Sequence, residues 1–262
     1  MQNAECRMQN AKLAKEFLGR LFLYIVLQKK YLMNTIADVI KELKSASSAK
    51  AIAAQAYFGI AGSNNLGLTT PQMRAIAKKI GKNHKLALQL WKSGIHEARH
   101  VAIFIADPKQ VSENLMEEWI KGFNSWDIVD NCCGTLFDKS PIAFDKAIEW
   151  TKRKKEFEKR AGFAMMAVLA VHDKKAEDKK FEQFFPFIIS ESGDERNFVR
   201  KAVNWALRQI GKRNERLCRQ AIQTAKEIAK KGDPVSKWIA SDALRELEKY
   251  KGEGKIKSTG SA

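Results

Sequence analysis

The stretch DERNFVRKAVNWALRQIGKRN, residues 194–214, has the apolar spacing of an amphipathic helix. At about 100° per residue, one face of that helix carries Val199, Val203, Ala206 and Ile210. We predict that this face is buried and that the segment packs as a helix against the rest of the protein.

A different face of the same helix carries Lys201, Trp205, Arg208 and Lys212. Trp205 lies about 200° around the helix from Val203, well away from the apolar face. A tryptophan is costly to expose to water, so its place among cations indicates a surface for an anionic ligand that also has apolar or sugar faces. Nucleic acid fits that description.

The chain from Met33 onward keeps an apolar period near 3.6 residues, and alternating β-branched runs are absent. Three prolines follow a side chain whose oxygen can cap a helix, which predicts helix starts at Thr70-Pro71, Ser140-Pro141 and Asp233-Pro234. We therefore predict an all-α fold.

A weak internal repeat favours one all-α architecture. Three apolar stretches begin at Lys159-Arg160-Ala161, Arg200-Lys201-Ala202 and Ser241-Asp242-Ala243, and their middle residues are 41 positions apart. HEAT and armadillo helix pairs repeat every 40–47 residues or so, roughly the same period. The repeat predicts an α-solenoid of HEAT-like helical repeats over residues 33–250, with a concave basic DNA-binding surface.

The two ends of the chain lie outside the predicted repeats. Residues 17–27 are apolar, but the segment is short and contains Arg20, so we do not expect it to span a membrane. No small-residue cleavage site follows it, and residues 1–32 are either an extra helix or the product of a start codon assigned too far upstream. Residues 251–262 are predicted to be a polar flexible tail.

The composition agrees with a polyanionic partner. The formal net charge is +17, although lysine-rich helical proteins often carry such charge only for solvation. The cysteines are Cys6, Cys132, Cys133 and Cys218, with no CxxC spacing, so neither a disulfide framework nor a zinc ribbon is expected. We expect a monomer in a reducing, cytoplasmic compartment, associated with the nucleoid if the source is prokaryotic.

A second informative segment is NSWDIVDNCC, residues 124–133. Ser125 is suited to cap a helix on which Trp126 and Asp130, four residues apart, share one shoulder. Half-buried packing of Trp126 and a helix-dipole role for the acids are the simpler interpretation. Against it stands the presence of a second tryptophan, Trp205, in its basic stripe. Arg160 adds to this, as a cation that opens the apolar stretch 161–171 at the end of the helix where the dipole disfavours positive charge.

Residues from about 65 to 247 resemble the DNA alkylation repair family of HEAT-like-repeat DNA glycosylases. The resemblance rests on Thr70-Pro-Gln-Met-Arg74, His96-Glu-Ala-Arg99, Ser125-Trp-Asp-Ile-Val-Asp130, Lys159-Arg-Ala161 and Phe198-Val-Arg-Lys-Ala-Val-Asn-Trp205. It implies that Trp126, Asp130, Arg160 and Trp205 surround a lesion nucleotide. Two departures are Lys159, where a second arginine is common, and Ser125, where an aromatic residue often precedes the tryptophan.

The resemblance implies hydrolytic release of cationic N7- or N3-alkylpurines from duplex DNA, in base excision repair and without a base-flipping pocket. Asp130 would stabilise the oxocarbenium-like sugar, Trp126 and Trp205 would pack on it, and Arg160 would hold a phosphate. Lys201, Arg208 and Lys212 would bind DNA, and no cofactor is needed. Because some family members have little or no such activity, a non-catalytic DNA-binding protein remains an alternative, as does a scaffold for acidic proteins.

A competing motif is His96-Glu-Ala-Arg-His100, which fits the H-E-x-x-H signature of zinc hydrolases, with Glu117 or Glu118 as a further ligand. Gly94 places His96 at the very start of its helix, and Arg99 brings a cation close to the proposed ion. We therefore expect no bound metal, and we expect Glu97 and Arg99 to take part in a structural ion-pair network.

Overall fold

The computed structural model describes residue 18, residues 35–60, residue 62 and residues 64–256 of the chain. These residues contain α-helices and short 3-10 turns and no β-strand. The helices are α1 (Ile36–Ser45), α2 (Ala49–Tyr57), α3 (Thr70–Ile80), α4 (His84–Lys92), α5 (His96–Ile105), α6 (Glu113–Lys121), α7 (Trp126–Thr135), α8 (Ala143–Thr151), α9 (Glu156–His172), α10 (Lys179–Glu182), α11 (Phe185–Glu191), α12 (Asn197–Gly211), α13 (Glu215–Ala229) and α14 (Pro234–Gly252). The predicted all-α fold is confirmed.

The helices form a row of stacked pairs. Helices α5, α7, α9, α12 and α14 pack one against the next, while α4, α8 and α13 pack against members of that row. Arg160, Lys201 and Asp242, which defined the sequence repeat, lie on α9, α12 and α14, three successive helices of the row. The repeat in the sequence therefore marks equivalent helices in neighbouring pairs.

Helix α9 lies at the centre of the core. Its residues from Arg160 to Ala170 are all buried, because α7, α8 and α12 cover it on different sides. A helix that is apolar nearly all round is expected at such a position. On α12, Val199, Val203, Ala206 and Ile210 are fully buried as predicted, whereas Lys201 stays exposed.

The predicted helix starts are only partly correct. The Asp233 carboxylate accepts a hydrogen bond from the Ser236 amide and caps α14, as expected. Helix α3 is capped by Thr69 rather than Thr70, since Thr69 and Gln72 form a capping box. Helix α8 begins at Ala143, because the backbone around Ser140 is still held in the preceding 3-10 turn.

Helix α9 begins four residues before Arg160, at Glu156. The prediction that Arg160 opens this helix was therefore wrong, since Glu156 and Glu158 occupy the first turn where acids are favoured. Ser125 is the N-cap residue of α7, but its hydroxyl donates to the Asp127 carboxylate instead of accepting from the helix backbone.

Cys132, Cys133 and Cys218 are unpaired and buried. Burial raises the pKa of the Cys132 and Cys133 thiols well above the ordinary value, so both stay protonated and unreactive. Cys6 and the predicted N-terminal extension lie outside the described residues apart from Leu18. No described helix has the length and apolarity that a membrane span requires.

Gly162 marks the closest approach between α8 and α9. A Cβ atom at this position would lie 2.7 Å from the Thr151 nitrogen and 2.9 Å from the Ala147 oxygen, both backbone atoms. We predict that Gly162→Ala lowers the free energy of unfolding by about 1–3 kcal/mol, because the helices must separate. Urea unfolding measures this.

The matched control is Gly252→Ala at the end of α14, where a Cβ atom meets nothing within 4 Å. That variant should be neutral or slightly stabilising, since alanine is the better helix former. Equal effects of the two substitutions would contradict the close approach at Gly162.

Candidate nucleic-acid interface

Three neighbouring helices and the end of α2 line an open cleft of about 300 Å³. Its walls are formed by Phe58, Trp126, Asp130, Arg160, Phe198, Lys201 and Trp205. Five of these seven were predicted from the sequence, and they come from α7, α9 and α12. The volume is at the low end of the range of roughly 300–1,000 Å³ for ligand sites, which suits contact with part of a larger molecule.

Asp130 and Arg160 form a two-pronged ion pair at the base of this cleft. The Arg160 Nε and Nη2 atoms donate to the two carboxylate oxygens over 3.0 and 2.8 Å. The remaining Nη1 donates to the Phe198 carbonyl over 2.7 Å, where α12 begins. One guanidinium therefore connects α7, α9 and α12.

The two partners differ in exposure. The Arg160 side chain is 7% exposed and that of Asp130 is 23% exposed, so the carboxylate is the more accessible partner. Burial raises the pKa of the Asp130 carboxyl above its ordinary value, and the Arg160 charge and hydrogen bonds oppose that shift. Each carboxylate oxygen has a second lone pair, so Asp130 can still accept a contact from the cleft.

Aromatic side chains form the rest of the walls. The Trp126 indole nitrogen donates to the Phe58 carbonyl over 2.9 Å, which fixes the ring and ties α7 to the end of α2. Phe198 packs on Phe157, with ring centroids 5.4 Å apart, and Trp205 is half-buried on α12. Phe58 is 64% exposed beside the cleft.

The predicted basic stripe on α12 is divided in the structure. Lys201 is exposed at the cleft, and no carboxylate of the described residues lies within ion-pair distance of it. Arg208 and Lys212 instead pair with Glu246 on α14. Periodicity placed these cations on one face correctly, but it gave no sign of the acidic residue on the next helix.

The sequence did not predict that Phe58 and Phe198 line the cleft, and it did not predict the ion pair between Arg160 and Asp130. Phe58 is 68 positions before Trp126, and no local pattern joins them. Phe198 lies within the α12 segment, but its backbone carbonyl is what matters for Arg160. Arg160 was expected to hold a phosphate, and the structure gives all its hydrogen bonds to Asp130 and Phe198.

The H-E-x-x-H motif does not assemble a zinc-hydrolase site. The Glu97 carboxylate is fully buried and accepts hydrogen bonds from the backbone amides of residues 66–68. Glu117 is engaged by Lys146, Trp150 and Arg153. Neither glutamate is therefore placed as a base or ligand beside the two histidines.

The expected ion-pair network of Glu97 and Arg99 is also wrong. Arg99 donates to the carbonyls of Trp91 and Gly122, and its guanidinium carbon lies 5.2 Å from the centre of a Trp91 ring. Glu97 thus accepts from loop amides and Arg99 donates to carbonyls at the ends of α4 and α6, and the two side chains do not pair with each other.

Both histidines of the motif converge on one acidic residue. The Nε2 atoms of His96 and His100 lie 2.9 and 3.0 Å from the same Asp127 oxygen. Burial opposes ionisation of Asp127, but the hydrogen bonds from His100 and His96 outweigh it and hold the pKa of that carboxyl well below its usual range. Asp127 is adjacent in sequence to Trp126 of the cleft.

The family model of the DNA alkylation repair enzyme matches residues 39–247. A solved structure with a TM-score of 0.70 and 23% identity covers 87% of this chain and 99% of its own. It is described as a new family of proteins related to the HEAT-like repeat DNA glycosylases with affinity for branched DNA structures. This likeness confirms the predicted HEAT-like fold.

A designed armadillo repeat protein matches with a TM-score of 0.37 and 14% identity, over 80% of this chain and 98% of its own, which is too weak to support an argument. A comparison with curated protein sequences finds no significant match.

The Trp126 to Phe58 contact gives a test of the cleft wall. Trp126→Phe keeps an aromatic ring but removes the N–H donor, so we predict a loss of about 0.5–1.5 kcal/mol and faster amide exchange at residues 58–60. Trp238→Phe, at a ring that is 40% exposed outside the cleft, is the control. Unchanged exchange in the Trp126 variant would contradict the tie between α2 and α7.

Proposed function

The chain belongs to the DNA alkylation repair family, and from this premise we propose that it is a monofunctional DNA glycosylase. Its proposed substrates are positively charged N7- or N3-alkylpurines in duplex DNA, released by hydrolysis of the N-glycosidic bond for base excision repair. The observation that carries the proposal is a fixed carboxylate, Asp130, in one open cleft with the indoles of Trp126 and Trp205.

The chemistry requires a negative charge at the sugar. An alkylated purine is already cationic and leaves readily, so bond cleavage produces an oxocarbenium-like deoxyribose. A preorganised carboxylate stabilises such a cation and can orient the attacking water, as carboxylates do in glycoside hydrolysis. Asp130 has this role in the proposal, through the lone pairs that Arg160 leaves free.

The tryptophans supply the rest of the sugar site. Their faces can pack on the deoxyribose and attract the cationic nucleotide. Arg160 acts here as a positioning residue, because its bonds to Asp130 and Phe198 hold the carboxylate in place. This role replaces the phosphate contact that the sequence suggested.

The cleft supports recognition through the sugar and backbone. Enzymes that flip a base enclose it in a snug pocket. This cleft is small and open, and its polar lining consists of Asp130, Arg160 and Lys201 apart from the indole nitrogens. In the proposal the lesion base therefore stays outside a base-specific pocket.

Electrostatics favour DNA as the partner. Exposed Lys201 lies at the cleft, and the net charge of +17 attracts phosphates from a distance. A second groove of about 490 Å³ has Lys174, Lys212 and Lys255 in its lining. We propose that the DNA backbone follows Lys201 and the cations of this groove, with Arg208 and Lys212 contributing next to Glu246.

A second candidate function is DNA binding without catalysis. One observation favours it: both oxygens of Asp130 are engaged by Arg160, which reduces the field of the carboxylate in the cleft. The similar solved structure is also described by an affinity for DNA, namely for branched DNA structures. Measurement of base release separates the two functions.

Binding to duplex DNA should depend strongly on salt and little on sequence. If roughly six to ten phosphates are contacted, the logarithm of the association constant should fall with the logarithm of salt at a slope of about −5 to −9. Fluorescence anisotropy from low to physiological salt measures the slope. Absent or salt-insensitive binding would remove nucleic acid as the partner.

Release of free base from duplex DNA containing N7-methylguanine tests the glycosylase directly. Under single turnover at saturating enzyme, we expect release by the wild type and a rate lower by about 10²–10³ for Asp130→Asn. DNA affinity should not fall, because the substitution removes a negative charge. Since Asp130 also balances the buried Arg160, the assay is run at a temperature where circular dichroism shows the variant folded.

The matched control for this assay is Glu117→Gln, which disrupts a comparable ion-pair cluster on α6 away from the cleft. It should release base at the wild-type rate. Equal rates for wild type and Asp130→Asn would remove Asp130 from the chemistry, and binding without any release would leave the second candidate function.

A further inference from the structure

We propose that His96, His100 and Asp127 form a binding site for one divalent transition-metal ion, such as zinc, that joins α5 to α7. The site is separate from the cleft and does not rest on the proposed glycosylase activity. Imidazole nitrogens and a carboxylate oxygen are ligands that zinc and neighbouring transition metals accept.

The three ligand atoms already lie close together between α5 and α7. Both Nε2 atoms lie within 3.0 Å of one Asp127 oxygen, and the three atoms lie within 4.8 Å of one another. Tetrahedral zinc with bonds of about 2.0–2.1 Å separates its ligand atoms by roughly 3.3 Å. Binding therefore needs a shift of a few tenths of an ångström at Asp127, and the two imidazole nitrogens, up to 4.8 Å apart, must approach each other by as much as about 1.5 Å.

The local structure presents these atoms for binding. His96 and His100 are four residues apart on α5, so both rings leave the same face of the helix. The other Asp127 oxygen is held by the Ser125 hydroxyl at 2.7 Å and the Ile128 amide at 3.0 Å. These bonds orient the carboxylate so that its second oxygen faces the histidines.

The two histidines are buried and Asp127 is slightly exposed, so an ion bound here would be shielded by protein but accessible to solvent beside Asp127. The side chains of His96 and His100 are 4% and 1% exposed, and that of Asp127 is 15% exposed. The His100 Nδ1 atom has no hydrogen-bond partner among the described residues, so the ring can adjust toward a metal without losing another bond. Water would complete the coordination of the ion.

The sequence raised two objections to a metal here, and the structure removes the one that concerns Arg99. His96 is the first residue of α5, as expected, yet its Nε2 atom still reaches Asp127. Arg99 is turned to the Trp91 and Gly122 carbonyls, so its charge is committed elsewhere. Glu97 is occupied by the backbone of residues 66–68, so the ion would have no adjacent general base. The site is thus structural: it would clamp the start of α7, where Trp126 enters the cleft.

A second histidine and aspartate contact in the protein provides a contrast. His172 Nδ1 lies 2.6 Å from the buried Asp138 carboxylate, but Lys139 occupies the same oxygen and no second histidine is near it. A metal would compete there with a bound cation. His172 therefore serves as the matched control for His96 and His100.

The test is calorimetric titration of chelator-treated full-length protein with zinc chloride, with thermal unfolding followed in parallel. We expect one equivalent of bound zinc and a rise of about 5–10 °C in Tm when free zinc is 100-fold above Kd. Cobalt in place of zinc should give a visible absorption spectrum typical of nitrogen and oxygen ligands.

The variants decide which residues hold the ion. His96→Gln/His100→Gln should lose zinc binding and the rise in Tm, although each glutamine amide can still donate to Asp127. His172→Gln should bind one equivalent, as the wild type does. If the double variant does not fold by circular dichroism, His96→Gln alone is used and should bind at least tenfold more weakly.

The proposal is overturned if the wild type binds no zinc, or if the variants at residues 96 and 100 bind it as the wild type does. Either result would leave His96 and His100 as hydrogen-bond donors that only orient Asp127. Failure of base release has no bearing on this outcome, because zinc binding and Tm are measured without DNA.

Discussion

The candidate site depends on one ion pair, that between Asp130 and Arg160. A guanidinium as buried as Arg160 is tolerated only when its charge is balanced and its donors are used. Asp130 on α7 balances the charge and accepts two of the hydrogen bonds, and the Phe198 carbonyl at the start of α12 accepts a third. The same bonds that satisfy Arg160 therefore set the distance between the helices that carry Trp126 and Trp205.

Helical periodicity predicted the site residues but not their partners. The 3.6-residue period places Trp126 beside Asp130, and both line the cleft in the structure. It also separates Trp205 from the buried face of α12, but Trp205 is half-buried and still packs against the core. The helical period of a sequence contains no information about which other helix packs against a given face. Arg160 was therefore expected to bind a phosphate, whereas in the structure it binds Asp130. Likewise, the pairing of Glu246 with Arg208 and Lys212 was not predicted.

The histidine motif shows the same division between local and tertiary information. His96 and His100 share a helix face, as their spacing requires, whereas Glu97 is rotated by about 100° from His96 and faces residues 66–68. The carboxylate that meets both histidines comes from the next helix of the row, at Asp127. The H-E-x-x-H motif therefore predicted the two histidines of this cluster, but its acidic residue is Glu97, whereas the structure places Asp127 beside them.

The central claim is that Asp130 and Arg160 act as one unit, and a double-mutant cycle on the free energy of unfolding tests it most directly. The cycle compares wild type, Asp130→Asn, Arg160→Met and the double variant by urea unfolding. The account predicts that Asp130→Asn costs about 2–4 kcal/mol and that the double variant costs less than the sum of the single ones by about 1.5–3 kcal/mol. Additivity within about 0.5 kcal/mol would contradict it, because the two side chains would then be independent and the cleft would have to be held together by other contacts.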